Sequence, residues 1–474
     1  MRENVGKVKR KRVEKTQMNK KRSAFSGKIG YVLSAAGASV GLGNIWRFPY
    51  LAAKYGGGIF LLVYVILALT FGYTMIVAES ALGRMTRKSP VGAFRSFAKG
   101  KKVGWLSFGG WINAIIPVLI VPYYSVIGGW VVKYLFEYIR GNGSKLAEDG
   151  YFSGFISNGG ATEICFVIFC MFTLVIIYAG VQNGIERVSK IMMPILIVLS
   201  VIIAIYSVTR PGAIEGVKYF LVPNVKNFSW MTVVAAMGQM FYSLSIAMGI
   251  LVTFGSYMRK DTSIEDSTRN VEIFDTAIAM MAGLMIIPAV FAFSGGDPDT
   301  LQAGPSLMFI TIPKVFANMG FGTAVGILFF VLVLFAAVTS SIALTESAVS
   351  TFEDELGWGR KKATVLTGVI MIALGTLSCL GYGPLDFVKI IGMQFLDFFD
   401  FLTNSVMMPI AALMTSLLVS WVIGVDKIEE EIRHGESAFR RKKIFVIMIK
   451  YLCPIFALII LASSVANAFG WISM

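Results

Sequence analysis

Apolar runs of about 20 residues recur along the whole chain, and each is long enough to cross a hydrocarbon layer of about 30 Å as a helix. Charged or turn-rich breaks divide the chain into about eleven such runs. Their centres lie near residues 38, 70, 120, 172, 198, 243, 282, 334, 370, 406 and 458. The sequence therefore predicts an all-α polytopic membrane protein, with a basic tail over 1–23 and one transmembrane domain over 24–474.

The composition supports a membrane protein. Of 474 residues, 56% are hydrophobic and 15% charged, whereas a soluble domain has about 45–50% apolar and about 25% charged residues. The net charge of +15 does not indicate a nucleic-acid partner, because the basic residues cluster in a few loops and one tail without interleaved aromatics. The four cysteines lie in apolar stretches without CxxC spacing, which argues against a disulfide framework or a zinc site.

The basic residues predict the orientation of the chain in the membrane. The N-terminal tail is rich in Lys and Arg, so the positive-inside rule places it in the cytoplasm, next to anionic membrane lipid. Alternation from this start places 141–160, 294–319 and the C-terminus outside. The most basic loops then fall inside, with Arg84, Arg87, Lys88, Arg95, Lys99, Lys101, Lys102, Arg360, Lys361, Lys362 and the run 440–443.

Two of the predicted spans are interrupted at their middles. Three glycines, Gly37, Gly41 and Gly43, fall within the first span, and SLSIAMG at 243–249 falls within the sixth. A single GxG pair would indicate only close helix packing. Interruptions at matching positions of two halves instead indicate a transporter with inverted repeats and a central binding site. We expect two five-helix repeats with broken helices one and six, over about 24–210 and 228–423, and an extra helix over about 442–472.

Four segments carry a family resemblance: GASVGLGNIWRFPY at 37–50, GGGIF at 56–60, GQMFYSLSIAMG at 238–249 and TSSIAL at 339–344. Together they resemble the neurotransmitter:sodium symporter family, particularly its bacterial amino-acid transporters. The resemblance covers roughly residues 20–474, and an eleventh span without a twelfth is similar to the bacterial branch. It implies a sodium-coupled, multi-pass transporter of a prokaryotic plasma membrane, with two sodium ions as co-transported cofactors.

The resemblance implies a second sodium site built from carbonyl and hydroxyl oxygens, which suit a hard cation. An isolated TSS would more simply hydrogen-bond to the preceding helical turn. The residues implied for this site are Gly37, Val40, Ala336, Thr339 and Ser340.

The first sodium site would use Ser39, Asn44 and Ser243, with a further oxygen from span seven. Many family members have asparagine there, whereas this chain has Asp275, although the alignment could slip by one residue. Asp275 could alternatively start a helix near the cytoplasmic loop. A carboxylate in the site would supply the negative charge that chloride-dependent relatives obtain from an anion, so we expect no chloride requirement.

The family pattern implies an amino-acid substrate. Its carboxylate would meet backbone N–H groups near Gly41 and Gly43, the Tyr124 hydroxyl and the first sodium ion, and its ammonium would meet carbonyls at Ser39 and around Ser243. Monoamine-type members have an aspartate near the position of Ala38, and this chain has none. The substrate side chain would contact Ile120, Tyr242, Ser245, Met248, Ser340 and Leu344.

Two charged pairs resemble the gates of the family. Arg47 and Asp400 correspond to the outer gate, with Tyr242 as an aromatic lid. Arg22 and Asp354 correspond to the inner gate. Tyr257 is expected to support the inner pair, and Phe25 occupies a position where the family often has tryptophan. Glu79 is expected to brace the break in span one. No role is assigned to Glu346.

The sequence thus predicts a sodium-coupled symporter that imports a neutral, bulky hydrophobic or aromatic L-amino acid by alternating access. A proton-coupled or amine-specific carrier of the same fold is the alternative. A channel would need a continuous polar pore, whereas these helices are polar only near their middles. An enzyme is not expected, because the HExxH motif is missing and the single histidine, His434, lies in a charged loop. No oligomeric state is predicted.

Overall fold

The computed structural model describes residues 23–98, 104–295, 304–469 and 471. Most of the predicted basic tail therefore lies outside the described residues. The described chain is helical, and its only β-type pairings are the isolated bridges between Gly57 and Pro223 and between Ile390 and Met393. Short helices outside the spans are Pro90–Ala98, Gly143–Leu146, Tyr151–Ser157, Ala213–Leu221, Ile312–Ala317 and Val425–Arg433.

Nine helices among the described residues are long and apolar enough to cross a membrane. Two further helices, the first and the sixth, are broken, so we number the spans 1–11 in chain order. Each predicted centre falls within the corresponding span, which confirms the predicted fold class. Spans 2–5 are Gly58–Thr86, Gly104–Ile139, Gly159–Tyr178 and Val181–Val208, and spans 7–11 are Ile264–Ser294, Gly322–Leu356, Arg360–Leu380, Phe395–Ile423 and Lys442–Asn467.

The breaks lie at the positions that the glycines and serines indicated. Span 1 consists of Lys28–Ser39, the π-helical turn Gly43–Arg47 and Phe48–Lys54. Span 6 consists of Trp230–Ser243 and Ile250–Tyr257. The backbone between its two halves enters the left-handed region three times, with φ of 53° at Ser245, 60° at Ala247 and 69° at Gly249. Only the glycine adopts this conformation without steric cost, so the other two positions are held by their surroundings.

Spans 2 and 6 approach each other backbone to backbone. A Cβ atom on Gly83 of span 2 would overlap the carbonyl oxygen of Val252, and one on Gly255 of span 6 would lie 2.5 Å from the carbonyl oxygen of Ser80. Small residues at such crossings let two membrane helices pack closely. This contact anchors the second half of span 6 beside span 2.

Alanine at Gly83 or Gly255 should therefore destabilise the protein by about 1–3 kcal/mol, because the added methyl group forces the two backbones apart. The control is Gly154→Ala, since a Cβ atom there has no neighbour within 4 Å. The apparent melting temperature in detergent should fall for the first two variants and stay constant for the control. Equal melting temperatures for all three variants would contradict the contact.

Arg84 does not belong to a solvated basic loop, contrary to the prediction. It lies in the last turn of span 2 with no exposed surface. Its Nε donates to Oε1 of Glu431 at 2.6 Å, and its Nη1 donates to the carbonyl oxygen of Thr262 at 2.5 Å. Lys260 adds a second cation to Glu431 at 2.6 Å. Removing one member would leave a buried charge unpaired, so the cluster fixes span 2 against the loop before span 7 and the helix Val425–Arg433.

Candidate functional site

The two breaks face a shared cavity of about 20 Å³, so its walls lie close together in this conformation. All residues that the sequence predicted to contact the substrate lie in its wall. The wall also contains Ala38, Leu42 and Ile250, which the sequence prediction did not include. The lining residues are Ala38, Ser39, Gly41, Leu42, Gly43, Asn44, Ile120, Tyr124, Tyr242, Ser243, Ser245, Met248, Ile250, Ser340 and Leu344.

Two glycines of the first break allow side chains from other spans to reach its backbone. A Cβ atom on Gly41 would lie 2.6 Å from Oγ of Ser340 and 3.2 Å from the hydroxyl of Tyr124. A Cβ atom on Gly43 would overlap the ring of Tyr242. The glycines are therefore required here for close approach, which keeps backbone groups of span 1 accessible in the cavity.

Hydroxyl groups from spans 3, 6 and 8 contact the backbone of span 1 at its break, and the one from span 8 is Oγ of Ser340, 3.2 Å from the carbonyl oxygen of Ala38. The N–H of Leu42 donates to the Tyr124 hydroxyl at 3.3 Å, and Oγ of Ser245 donates to the carbonyl oxygen of Ala38 at 3.0 Å. Unwinding thus exposes both donors and acceptors at the same place. Such a surface can receive both charged ends of a zwitterion.

The residues predicted for the second sodium site lie together where span 8 meets the first break. Oγ of Ser340 lies 3.4 Å from the carbonyl oxygen of Gly37 and 3.3 Å from that of Val40. Oγ1 of Thr339 lies 3.2 Å from the carbonyl oxygen of Ala336, and a Cβ atom on Gly37 would lie 3.2 Å from that of Thr339. This cluster offers neutral oxygens without a carboxylate, which is a donor set suited to a monovalent hard cation.

Two of the residues predicted for the first sodium site, Asn44 and Ser243, converge on Asp275. The third, Ser39, lies in the cavity wall and donates its hydroxyl to the carbonyl oxygen of Ala35 at 3.1 Å. Oδ1 of Asp275 accepts from Nδ2 of Asn44 at 2.8 Å and from Oγ of Ser243 at 2.8 Å. Asp275 is fully buried inside span 7, whose first residue is Ile264, so it does not start a helix. The structure therefore places a carboxylate directly beside Asn44 and Ser243.

The sequence analysis did not predict two residues of this region, Tyr64 and Gln239. The hydroxyl of Tyr64 donates to Oδ2 of Asp275 at 2.8 Å, but a tyrosine inside the apolar run of span 2 suggests only packing. Nε2 of Gln239 donates to the carbonyl oxygen of Gly43 at 3.0 Å. This amide was visible as a polar residue in the apolar run of span 6 and could have been identified there.

The predicted outer gate residues lie above the cavity but form no ion pair in the part of the chain that the structure describes. The guanidinium carbon of Arg47 lies 5.4 Å from the ring centre of Tyr242, which is cation–π distance. Asp400 instead accepts from the Tyr123 hydroxyl at 3.2 Å and from Nδ2 of Asn404 at 2.5 Å. In this conformation Arg47 is held over the aromatic lid, and the carboxylate is satisfied by its own neighbours.

The predicted inner gate is described on one side only, because Arg22 lies outside the described residues. Oδ2 of Asp354 accepts from the backbone N–H of Ser89 at 2.7 Å. This contact joins the end of span 8 to the loop that follows span 2.

Glu346, which had no predicted role, is the centre of a buried group near this end. Its Oε2 lies 2.6 Å from Nη2 of Arg360, and its Oε1 accepts from the Tyr257 hydroxyl at 2.7 Å. The backbone carbonyl of Tyr257 accepts from the N–H of Phe25 at 3.1 Å. Tyr257 thus links span 8 to the start of span 1.

The prediction for Glu79 is wrong in one respect. Its Oε1 accepts from the backbone N–H of Ala247 at 2.8 Å, so it braces the break in span 6, not the one in span 1. The bond satisfies a donor freed by unwinding at a residue with positive φ.

The whole-chain comparison identifies the family. The family model described as "Sodium:neurotransmitter symporter family" matches residues 22–144 and 151–470. The chain belongs to this family. It is a sodium-dependent symporter and not an enzyme, which confirms the predicted family, coupling ion and class. As a symporter with many apolar helices it is a multi-pass membrane protein, and its bacterial relatives suggest a plasma membrane.

Individual relatives of this symporter match over most of its length. The uncharacterized sodium-dependent transporter YhdH of Bacillus subtilis is 36% identical over 417 residues, which cover 87% of this chain and 91% of that protein. The human sodium- and chloride-dependent GABA transporter 2 is 26% identical over 87% of this chain and 75% of its own. The crystal structure of MhsT in complex with L-phenylalanine matches with a TM-score of 0.84 and 36% identity, over 94% of this chain and 100% of that one.

Proposed function

We propose that this symporter imports a neutral, bulky hydrophobic or aromatic L-amino acid with two sodium ions by alternating access, without requiring chloride. The observation that carries the proposal is the cavity between the two breaks, because its wall combines backbone groups of the first break with apolar side chains. The relative MhsT was crystallised with L-phenylalanine, which supports an amino-acid substrate.

The polar groups of the cavity wall suit the backbone part of an amino acid. The N–H groups of the first break and the Tyr124 hydroxyl would receive the carboxylate, and carbonyls such as that of Ala38 would receive the ammonium group. Both charges would be paired inside a low-dielectric pocket, as buried charges require. The lining residues include no acidic side chain that could replace the carboxylate as the partner of an amine, which disfavours the amine-specific alternative.

The apolar residues of the cavity wall suit an apolar side chain. They are Ile120, Met248, Ile250 and Leu344. The nearby Ser245 hydroxyl already donates to the carbonyl oxygen of Ala38. A charged substrate side chain would lose its hydration there without gaining a partner, so aspartate and lysine should be excluded.

The two oxygen clusters support two sodium ions. One is the neutral cluster around Thr339 and Ser340, and the other is the Asp275 cluster with Asn44 and Ser243. The Asp275 cluster borders the cavity through Asn44 and Ser243, so an ion held there would attract the substrate carboxylate. Sodium and substrate would thereby stabilise each other's binding, which is the coupling that symport requires.

Alternating access requires that only one side of the site opens at a time. We place the N-terminus in the cytoplasm on the positive-inside rule, so Arg47 and Asp400 lie on the outer side and Asp354 on the inner side. Arg47, which lies over the ring of Tyr242, would close the outer side.

A binding assay tests the proposal directly. Purified protein should bind labelled leucine only in the presence of sodium, and unlabelled leucine, methionine, phenylalanine, tyrosine and tryptophan should compete better than glycine, alanine, aspartate or lysine. Sodium-independent binding, or displacement by glycine or lysine in preference to phenylalanine, would overturn it.

Replacing Met248 with phenylalanine should weaken binding of aromatic substrates more than binding of leucine. Methionine is unbranched and can move aside, whereas a phenylalanine ring would fill volume that only the larger substrates use. Competition against labelled leucine should show a drop of about tenfold for phenylalanine and a smaller one for leucine. The control is Met319→Phe, because Met319 lies outside the cavity lining. Equal losses of affinity for phenylalanine and leucine in the Met248→Phe variant would contradict the assignment.

A further inference from the structure

An open groove lies between spans 4 and 9 on the outer surface of the helix bundle, away from the substrate cavity. It has a volume of about 370 Å³. Its wall is apolar apart from one threonine and the hydroxyl of one tyrosine. The lining residues are Met171, Leu174, Val175, Tyr178, Thr364, Val365, Gly368, Val369 and Ile372.

The groove follows the direction of the two helices. Its residues extend from 171 to 178 on span 4 and from 364 to 372 on span 9, which at 1.5 Å per residue is about 10–12 Å. Val175 is 64% exposed and Val369 is 60% exposed, so the groove opens toward the surroundings of the bundle. In a membrane those surroundings are hydrocarbon, and a groove of this length suits part of one acyl chain.

Two lysines, Lys361 and Lys362, lie at one end of the groove, where span 4 ends and span 9 begins. Nζ of Lys361 lies 5.5 Å from the ring centre of Tyr178, a lining residue. Lys362 is the next residue, and neither lysine forms an ion pair with any described residue. The preceding Arg360 differs, because Glu346 neutralises it and its Nε donates to the carbonyl oxygen of Ile177 at 2.8 Å. The two lysines are therefore available to an external anion.

A polar group inside the groove also lacks a partner. Thr364 is only 4% exposed, and its hydroxyl makes no hydrogen bond to any described residue. Thr364 lies one helical turn after Arg360, at the charged end of the groove. The ester groups of a bound lipid would lie at this level. Thr364 therefore adds a polar position at the charged end, whereas the lining toward Met171 and Ile372 is apolar.

We propose that the groove between spans 4 and 9 binds one anionic phospholipid of the leaflet on the Lys361 side. An acyl chain would lie along Leu174 and Val369, and the phosphate would lie at Lys361 and Lys362. Basic positions at the membrane surface attract anionic lipid headgroups, and an apolar groove beneath them selects a chain-bearing molecule over free phosphate.

Native mass spectrometry of the full chain from nanodiscs of phosphatidylglycerol and phosphatidylcholine tests the headgroup contact. The wild type should retain one phosphatidylglycerol in preference to phosphatidylcholine. Lys361→Ala with Lys362→Ala should reduce this preference by about fivefold for each lysine removed. Lys427→Ala, an exposed lysine on the helix Val425–Arg433, should leave it unchanged. An unchanged preference in the double variant would overturn the headgroup contact and the proposal.

A second pair of variants tests the chain-binding part. Val369→Trp should fill the groove and abolish retention of the lipid, whereas Val198→Trp, at a 57% exposed position on span 5, should not. Melting temperatures close to that of the wild type would show that both variants fold. If the Val369→Trp variant still retains the lipid, the proposal is wrong. The proposal is also wrong if the wild type forms a lipid-free dimer that Val369→Trp dissociates, because a second copy of the chain would then occupy the groove.

Discussion

Alanine at both Thr339 and Ser340 should abolish sodium-driven uptake while the protein still folds. Oγ of Ser340 lies within 3.4 Å of the carbonyl oxygens of Gly37 and Val40, and the side chain of Thr339 packs against Gly37. A hydrogen bond or ligand contact to a charged group contributes about 1.5–3 kcal/mol, so losing two hydroxyls should weaken sodium binding by at least about a hundredfold. At ordinary sodium concentrations the site would then be mostly empty.

The measurement is uptake of labelled leucine into proteoliposomes under an inward sodium gradient, together with the sodium dependence of leucine binding. Span 10 offers a matched control, because Thr415 and Ser416 are also adjacent and buried. Their hydroxyls donate to the carbonyl oxygens of Ala411 at 2.9 Å and Ala412 at 2.8 Å, within their own helix. Alanine at both control positions should leave sodium affinity unchanged. Normal uptake with normal sodium affinity in the Thr339 and Ser340 variant would refute the second sodium site.

The sequence predicts the spans and the cavity wall well, because both depend on local patterns. Runs of apolar residues determine where helices cross the membrane, and the glycines at 37–43 with the serines at 243–249 mark where two of them break. The segments that carry the family resemblance include the two breaks and the polar stretch of span 8, so the residues they contain meet at one cavity.

Contacts between distant positions could not be predicted in the same way. Arg84 pairs with Glu431, and Glu79 meets Ala247, and in both cases the partners are far apart in sequence. The residues next to a charged residue in the sequence do not identify its ion-pair or hydrogen-bond partner, because the partner depends on how the helices pack. The short helix Val425–Arg433 is an example, because its Glu431 pairs with Arg84 in the last turn of span 2 and thereby helps to bury that arginine.

The contribution of Tyr64 shows a related limit. Because its neighbours in the sequence are apolar, the sequence indicates only that Tyr64 packs against other helices. The fold brings its hydroxyl to 2.8 Å from Asp275. Asp275 itself was identified from the sequence, but its alternative role as a helix start could be dismissed only when the start of span 7 at Ile264 was known.

Replacing Asp275 with asparagine should make transport weak and dependent on chloride. In the wild type the carboxylate supplies a negative charge beside Asn44 and Ser243, so uptake should be the same in chloride and in gluconate. The amide has nearly the same shape but no charge, and a sodium ion at this site would then be buried without compensation. Because an uncompensated buried charge costs several kcal/mol, uptake in gluconate should fall by at least about a hundredfold. Chloride, if it can enter the space beside the amide, should restore part of the activity.

Span 7 provides the control for this experiment. Glu272 is a second buried carboxylate, one turn before Asp275, but it pairs with Arg441 at 3.4 Å and does not reach the cavity. Glu272→Gln removes the same charge from the same helix, so it reports the general effect of losing a buried carboxylate on folding and insertion. It should leave uptake equal in chloride and gluconate, since its charge faces Arg441 and not the sodium cluster. Wild-type transport that stops when gluconate replaces chloride would refute chloride independence, and full activity of Asp275→Asn in gluconate would refute the role of this carboxylate. A loss of uptake that is alike in both variants and insensitive to chloride would assign Asp275 to folding alone.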